Sequence, residues 1–331
     1  MDNKASFAFL VLAYNHEEYI VEHLESIKYL VETYASCIDV DIIINDDCSR
    51  DRTVELIISW LSVNAYLFRA VVKTFNEVNI GTCASVLNML SHVTADSLKL
   101  TAGDDVYSFE NIFEFAFLED DVAFLSGIPV GLIDGKLVEV KSDIFGIVSS
   151  QVIYHDKPLI DRFTGLSNNN APNMIYNKKY LTDDKVKEFL ARFDVVEDWP
   201  LQIAIAEHFP NTKFSLADQV FVYYRRTLGS TYIVAGSRFF SDKENVFLYM
   251  MSRTNKVSGR LLLRNRLLLF SLNNRLCNKV FNLSFYRYAL ALLLCFFGVL
   301  KEMRKIDIPL ERHRGHYGFI KRRADIFMSK G

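Results

Sequence analysis

A chain of 331 residues that is 50% hydrophobic and 24% charged can bury a large core, which excludes an intrinsically disordered protein. Its net charge of −2 conceals a division: from Arg253 onward there are 17 Lys and Arg against 4 Asp and Glu, so an acidic body ends in a basic tail expected to meet something anionic. The five cysteines, Cys37, Cys48, Cys83, Cys277 and Cys295, form no CxxC pair, which argues against a disulfide framework or a structural zinc site and for a reducing cytosol.

FAFLVL (Phe7 to Leu12) is expected as the first strand, and because it leads straight into a polar helix without a small-residue cleavage site, no secretion signal is expected. Ile20, Leu24, Ile27 and Val31 place one apolar stripe on a helix from about residue 17 to 34. VDIIIN (Val40 to Asn45) reads as strand two, followed by a helix from Thr53 to about Leu61, a strand near Ala70 to Thr74, a helix from Thr82 to His92 and the strand SLKLT (Ser97 to Thr101). This alternation is the habit of a parallel sheet covered by helices. Beyond it the rhythm loosens, with strand-like pieces at Val122 to Leu125, Leu137 to Val140 and Phe145 to Tyr154 suggesting a mixed extension. A loop at 167–172, a helix from Asp183 to Arg192, a helix to Glu207 and a strand from Gln219 to Tyr224 complete the apparent catalytic unit.

In the tail, YALALLLCFFGVL (Tyr288 to Leu300) is an uncharged run between Arg287 and Lys301. As a helix it would rise ~20 Å, short of a hydrocarbon core of ~30 Å. It therefore reads first as an interfacial helix with basic residues snorkelling to lipid phosphates, with a buried core helix or a true span as alternatives.

Two acidic pairs end predicted strands: Asp46-Asp47 after strand two and Asp104-Asp105 after SLKLT. Ligands of open α/β sheets bind at the carboxyl ends of the strands, and converging carboxylates need a divalent cation, hydroxyls or base N–H groups to satisfy them. A nucleotide-sugar pocket has that wiring. No GxGxxG or GxxxxGK[ST] loop is present, which disfavours dinucleotide and P-loop chemistry. The plainer reading of Asp46-Asp47 is a turn that caps the Thr53 helix, and of Asp104-Asp105 a solvated turn.

LAYNHEEYIVEHLESI (Leu12 to Ile27), NDDCSRDRT (Asn45 to Thr53), NIGTCASVLN (Asn79 to Asn88), TAGDDVY (Thr101 to Tyr107), VEDWPL (Val196 to Leu201) and VYYRR (Val222 to Arg226) occur in that order. Together they resemble the motifs of the inverting glycosyltransferases of family 2, over about residues 7 to 227. The resemblance implies an α/β GT-A fold: a mainly parallel sheet with helices on both faces, plus a helical C-terminal appendage. With the charge division it places a catalytic domain at 1–234, with a donor half at about 1–107 and an acceptor half at about 108–234, before a tail at 235–331 whose basic charge and apolar run read as a helical membrane-association region.

Carried over by position, the resemblance implies that Tyr14 and Asp47 contact the nucleobase, that Asp104 and Asp105 serve the ribose and the metal (Mg²⁺ or Mn²⁺), and that Asp198 is the general base. Asn15, Glu17, Asp46, Asn79 and Gly81 fall within the donor motifs, and Glu197 and Trp199 flank the base on the acceptor side. Asp198 also stands where a helix cap would, before Trp199-Pro200. Arg225 or Arg226 could neutralise the diphosphate, and alternation on a strand would turn only one of them inward. His16 could help a phosphate or lie on the surface. Departures from the family pattern are Leu12 for proline, Arg52 for glycine, and Ala102-Gly103 where a further Asp is frequent.

The expected activity is inverting transfer from a UDP-, GDP- or dTDP-sugar to a polyprenyl-diphosphate-linked glycan. The enzyme would be cytoplasmic and peripheral on the inner face of the plasma membrane. GDD variants of the metal motif resemble those of bacterial O-antigen and capsule enzymes, an analogy of family. A non-catalytic nucleotide-sugar or glycan-binding subunit is the rival, and a nucleotidyltransferase is disfavoured because LAYNHEE occupies the place of a triphosphate loop. The arginines of LLLRNRLLLF (Leu261 to Phe270) are embedded in leucines without a nucleic-acid motif, so no nucleic-acid partner is expected.

Overall fold

Residues of β1 alternate between two covered faces, Phe7, Phe9 and Val11 on one and Ala8 and Leu10 on the other, so the strand is apolar throughout. A computed structural model describes residues 4–226 and 236–329. Its first half runs β1 (Ser6–Ala13), α1 (Ile20–Tyr34), β2 (Asp39–Asp46), α2 (Thr53–Asn64), β3 (Ala70–Phe75), α3 (Thr82–Leu90) and β4 (Ser97–Ala102). Then come β5 (Val106–Tyr107), β6 (Val122–Ser126), β7 (Val130–Ile133), β8 (Lys136–Val138), α4 (Lys141–Tyr154), α5 (Leu159–Thr164), β9 (Met174–Asn177), α6 (Lys178–Leu181), α7 (Asp184–Leu190), α8 (Asp198–His208), β10 (Lys213–Leu216) and β11 (Val222–Arg226). The tail is helical: α9 (Ser237–Arg253), α10 (Val257–Leu272), α11 (Arg275–Phe281), α12 (Leu283–Met303) and α13 (Leu310–Met328).

The main sheet has seven strands in the order β10-β6-β9-β4-β1-β2-β3. β1 lies between β2 and β4, parallel to both, with Ala13 opposite Asp46 and Leu12 opposite Ala102. The carboxyl ends of these three strands therefore reach the same edge at nearly the same level. β9 runs antiparallel between β4 and β6. A smaller sheet, β5-β11-β7-β8, sets β11 beside the end of the Asp104-Asp105 turn. α1 and α2 cover one face, and α3, α5, α7 and α8 the other. The fold is the GT-A type of α/β architecture with a helical C-terminal region.

Three elements differ from expectation. Residues 145–154, expected as a strand, belong to α4: Ile144, Ile147, Val148 and Ile153 are buried, while Ser149 Oγ meets Tyr288 Oη of α12 at 2.6 Å. A helix covered on two sides loses the single stripe that reveals helical periodicity. α1 begins at Ile20 because Asn15 adopts φ 54° and the chain turns before entering the helix. The last strand of the catalytic part is displaced to Val222–Arg226.

The expected boundary at 234/235 lies outside the described residues. On its far side, Val246, Phe247 and Met250 of α9 are buried in one face's core, and Tyr317 and Ile320 of α13 in the core beneath the small sheet. Part of the basic tail is matched by the acidic body itself: Arg323 pairs with Glu25 at 2.7 Å and Glu32 at 3.2 Å on α1. α12 extends beyond the uncharged run to 21 residues with a mean hydropathy of 1.8, long and apolar enough by composition to cross a membrane.

Candidate active site

Tyr14, at the end of β1, is 46% exposed and offers an open ring at the strand edge. Around it the donor motifs are stitched to one another. Asn15 Oδ1 accepts the Arg50 N–H at 2.9 Å, and Glu17 Oε2 accepts that of Arg52 at 3.0 Å. Asp46 is buried and accepts the N–H of Ser49 at 2.8 Å as well as its hydroxyl. At the start of α2 the Thr53 N–H is accepted by Asp51 at 3.0 Å, and not by Asp46 or Asp47. Asp47 accepts from Ile80 N–H (2.8 Å), Gly81 N–H (3.0 Å) and Asn76 Nδ2 (3.0 Å). Its carboxylate thus fixes the loop that carries Asn79 and Gly81. Gly81 has φ +89°, and a Cβ there would collide with Asp194, so only glycine serves both the turn and the close approach.

The Asp104-Asp105 turn divides its two carboxylates. Asp105 is 2% exposed and its Oδ1 accepts the Arg225 N–H at 2.9 Å; burial first, and then Asp104, push its pKa well above the carboxylate range. Asp104 stays partly exposed at the strand edge. Arg225 is not open to an anion: its Nε donates to the Asp104 carbonyl (2.6 Å), and its Nη2 to Glu22 (2.5 Å). Glu22 in turn accepts from Tyr317 of α13 at 3.3 Å. Gly103 packs closely: a Cβ there would come within 2.7 Å of Ile20 Cδ1 and 3.1 Å of His16 Nδ1. That His16 nitrogen is buried without a partner, and burial lowers the His16 pKa, so the ring is neutral beside Asp104. Among the described residues no three His, Cys, Asp or Glu side chains gather into a metal cage.

Asp198 opens α8 and accepts the Trp199 N–H through Oδ1 at 2.7 Å. Burial and the neighbouring Asp198 push Glu197 up to about 8, so it carries a proton at neutral pH. Trp199 is a wall residue: its Nε1 donates to the Phe163 carbonyl at 2.8 Å and its ring packs edge-on against Phe247. The Asp198 loop touches the donor loop directly, with Cys83 N–H on the Asp194 carbonyl at 3.0 Å. Asp198 and Arg226 both line one cavity of about 260 Å³. The segment ahead of Asp198 thus meets the loop of Asn79 and Gly81, while the cavity lined by Asp198 includes none of the carboxylates at the ends of β2 and β4.

A family model described as glycosyl transferase family 2 matches residues 9–183, more than half of the chain. The chain belongs to that family. This family 2 glycosyltransferase is similar over 83% of its length to Staphylococcus aureus TarS residues 1–349 in complex with UDP-GlcNAc, covering 77% of that chain at 17% identity with a TM-score of 0.55. It is also similar to the mannosyltransferase PcManGT of Pyrobaculum calidifontis in complex with GDP-Man and Mn²⁺, over 97% of this chain and 86% of that one, at 13% identity and a TM-score of 0.51. Uncharacterized proteins of Mycobacterium tuberculosis and Mycobacterium bovis are 32% identical over 97 residues, which is 29% of this chain and 26% of theirs.

Several residues of this glycosyltransferase's site escape sequence reasoning. Asp242 of α9 accepts three consecutive N–H groups, from Asp194 (2.9 Å), Val195 (2.7 Å) and Val196 (3.0 Å), just ahead of Asp198. Arg238 of α9 pairs with Asp194 and donates to Asn79 at 3.2 Å, tying the donor loop to the Asp198 loop. Lys99 is fully buried, lowered to about 7 by burial, and donates to the carbonyls of Pro172 (2.6 Å) and Met174 (3.2 Å). Asp242 and Arg238 stand in the helix after the last motif, where nothing in the linear pattern connects them to the site. Lys99 carried a signal, a charge inside an apolar strand.

Proposed function

We propose that this glycosyltransferase moves a hexose-type sugar, with inversion, from a nucleoside diphosphate donor to a hydroxyl of a polyprenyl-diphosphate-linked glycan, in surface polysaccharide synthesis of the O-antigen or capsule kind. The observation that carries the reading is the split of the acidic turn: Asp104 is open at the edge shared with Tyr14, while Asp198 lines a neighbouring cavity. Tyr14 would stack on the nucleobase beside the Asp47-held loop, and His16 would meet a donor oxygen. In a single displacement the attacking hydroxyl gives its proton to Asp198 on the face opposite the leaving nucleotide. Arg225, committed to Glu22 and Asp104, would position the turn and leave the diphosphate to other groups.

A divalent cation, Mg²⁺ or Mn²⁺, would supply charge neutralisation of the departing diphosphate. Asp104 would hold it, and a single open carboxylate suits a cation whose other ligands are phosphate oxygens and water. Bound Mn²⁺ with GDP-Man in PcManGT and UDP-GlcNAc in TarS support donor and cation alike.

A lipid-linked acceptor is supported by α12, whose Leu293, Leu294 and Phe297 are 71%, 81% and 85% exposed, with Arg287, Lys301 and Arg304 exposed along the same helix. Such a surface suits peripheral contact with the inner face of a plasma membrane. The test is a thermal-shift panel of UDP-, GDP- and dTDP-sugars with and without Mn²⁺. One donor should raise Tm in a Mn²⁺-dependent way that Asp104→Asn abolishes. A panel without any shift, or a shift that ignores Asp104→Asn, would sink the proposal.

A further inference from the structure

The cavity of about 260 Å³ is closed by Pro129 to Gly131 at the start of β7, Asp143 of α4, the loop of Asn168 and Asn170, and Tyr224 and Arg226 of β11, with Asp198 in its wall. Its charges are uneven. Arg226, the one cation among its described lining residues, already donates to Asp143 Oδ2 at 2.5 Å, and both side chains are about one-third exposed. Arg226 Nε is buried and has no partner. Asn168 and Asn170 fix the rim: Asn168 Nδ2 donates to the Asp143 carbonyl (3.2 Å) and Asn170 Nδ2 to the Gly127 carbonyl (2.9 Å). What remains for a ligand is the Asp198 carboxylate and the exposed part of a guanidinium already neutralised by Asp143.

We infer that this cavity seats the terminal sugar of the acceptor and selects a neutral one, with Asp143 as the residue that withholds Arg226 from anions. The inference rests on the reading of Asp198 as the base and adds the substrate class. A hydroxyl can donate to a carboxylate and accept from a guanidinium N–H at once, and the Arg226 side chain is partly exposed. A uronate carboxylate or a phosphate in the same place would lie against Asp198 with no free cation to balance it, and like charges so placed disfavour binding. Discrimination of this kind comes from the unmatched charge presented to the wrong ligand as much as from contacts with the right one.

The experiment uses the full chain, Mn²⁺, the donor that the thermal panel selects, and two acceptors that differ only in a carboxylate at C6, octyl glucoside and octyl glucuronide. Acceptor binding is read in parallel by saturation-transfer NMR. The wild type is expected to favour the glucoside by at least tenfold in kcat/KM. Asp143→Asn, which frees Arg226, is expected to narrow that preference at least tenfold through the acceptor KM, with the donor KM unchanged. Arg226→Gln, a second variant in case the first folds poorly, is expected to raise the glucoside KM several-fold without improving the glucuronide. A wild-type preference for the glucuronide, an unmoved ratio in Asp143→Asn, or no saturable binding of either glycoside would overturn the inference. Asp198→Asn separates the two readings: transfer retained by that variant removes the base assignment, whereas a dead Asp198→Asn together with an acceptor ratio that Asp143→Asn leaves unmoved removes the cavity's role alone.

Discussion

Asp104 and Asp105 are adjacent in sequence and opposite in environment, which separates their expected phenotypes. Asp104→Asn should leave Tm within a degree or two and weaken the apparent Mn²⁺ affinity in donor turnover by at least about tenfold, because only that carboxylate is open at the edge. Asp105→Ala strands the buried Arg225 N–H, so it should cost about 1–3 kcal/mol in denaturant unfolding. Equal loss of Tm in both variants would contradict this division. Glu197 offers a second test, by pH. Its folded pKa of about 8 is raised above the ordinary glutamate value, so its stabilising contribution is complete at low pH and is lost as pH rises toward and through 8. Glu197→Gln lacks that loss, and the Tm of the wild type should fall by several degrees relative to the variant between about pH 6 and 9. A constant Tm difference across that range would mean that Glu197 is ionised throughout. These residues also mark where reading the sequence reached its limit. The acidic pairs could be found because aspartates after apolar strands are conspicuous, but which oxygen is free depends on partners far along the chain: Asp105 on Arg225, and Asp47 on Ile80 and Gly81.

Among the elements, β1 to β4 and α1 to α3 were legible because each strand is a short apolar run and each helix faces the sheet on one side. α4 was not, since it is covered both by the small sheet's core and by α12. The same limit applies to α9, which follows the last recognisable motif and supplies Asp242. One carboxylate oxygen there gathers three N–H groups of the segment that leads into Asp198, a charged acceptor for a bent stretch of backbone. Asp242→Ala would leave those donors without their acceptor, at a cost of at least about 2 kcal/mol. Turnover should fall at least tenfold in kcat, measured below the variant's melting range, while the donor KM changes less than twofold. Asp242→Asn, which retains an acceptor oxygen, should recover part of the rate. A proportionate rise in donor KM would show that α9 acts on the loop of Asn79 and Gly81 through Arg238 instead of on the Asp198 segment through Asp242.

At the scale of the whole molecule, the question is how a helix long enough to cross a bilayer belongs to a chain that returns to its own catalytic part. At 1.5 Å per residue, α12 would rise about 32 Å, which matches the ~30 Å hydrocarbon thickness, so length alone permits a span. Packing argues otherwise. Tyr288 is hydrogen-bonded to Ser149 of α4, Val299 is fully buried in the core beneath the small sheet, and α13 beyond it docks on α1 through Arg323. A crossing would have to break these contacts and carry α13 away from Glu22 and hence from the Arg225 turn. Lying along a surface leaves them intact and offers Leu293, Leu294 and Phe297 to lipid, with the flanking cations near the phosphates. The full chain should therefore bind vesicles containing phosphatidylglycerol more tightly than purely zwitterionic ones, with a contribution of about 1 kcal/mol for each basic residue near the surface that weakens as salt rises. Replacing Leu293, Leu294 and Phe297 together by glutamate should abolish flotation with such vesicles while Tm and donor binding persist. Resistance of the wild type to release by high salt or alkaline carbonate would instead indicate that α12 had left its bed on α4 and inserted.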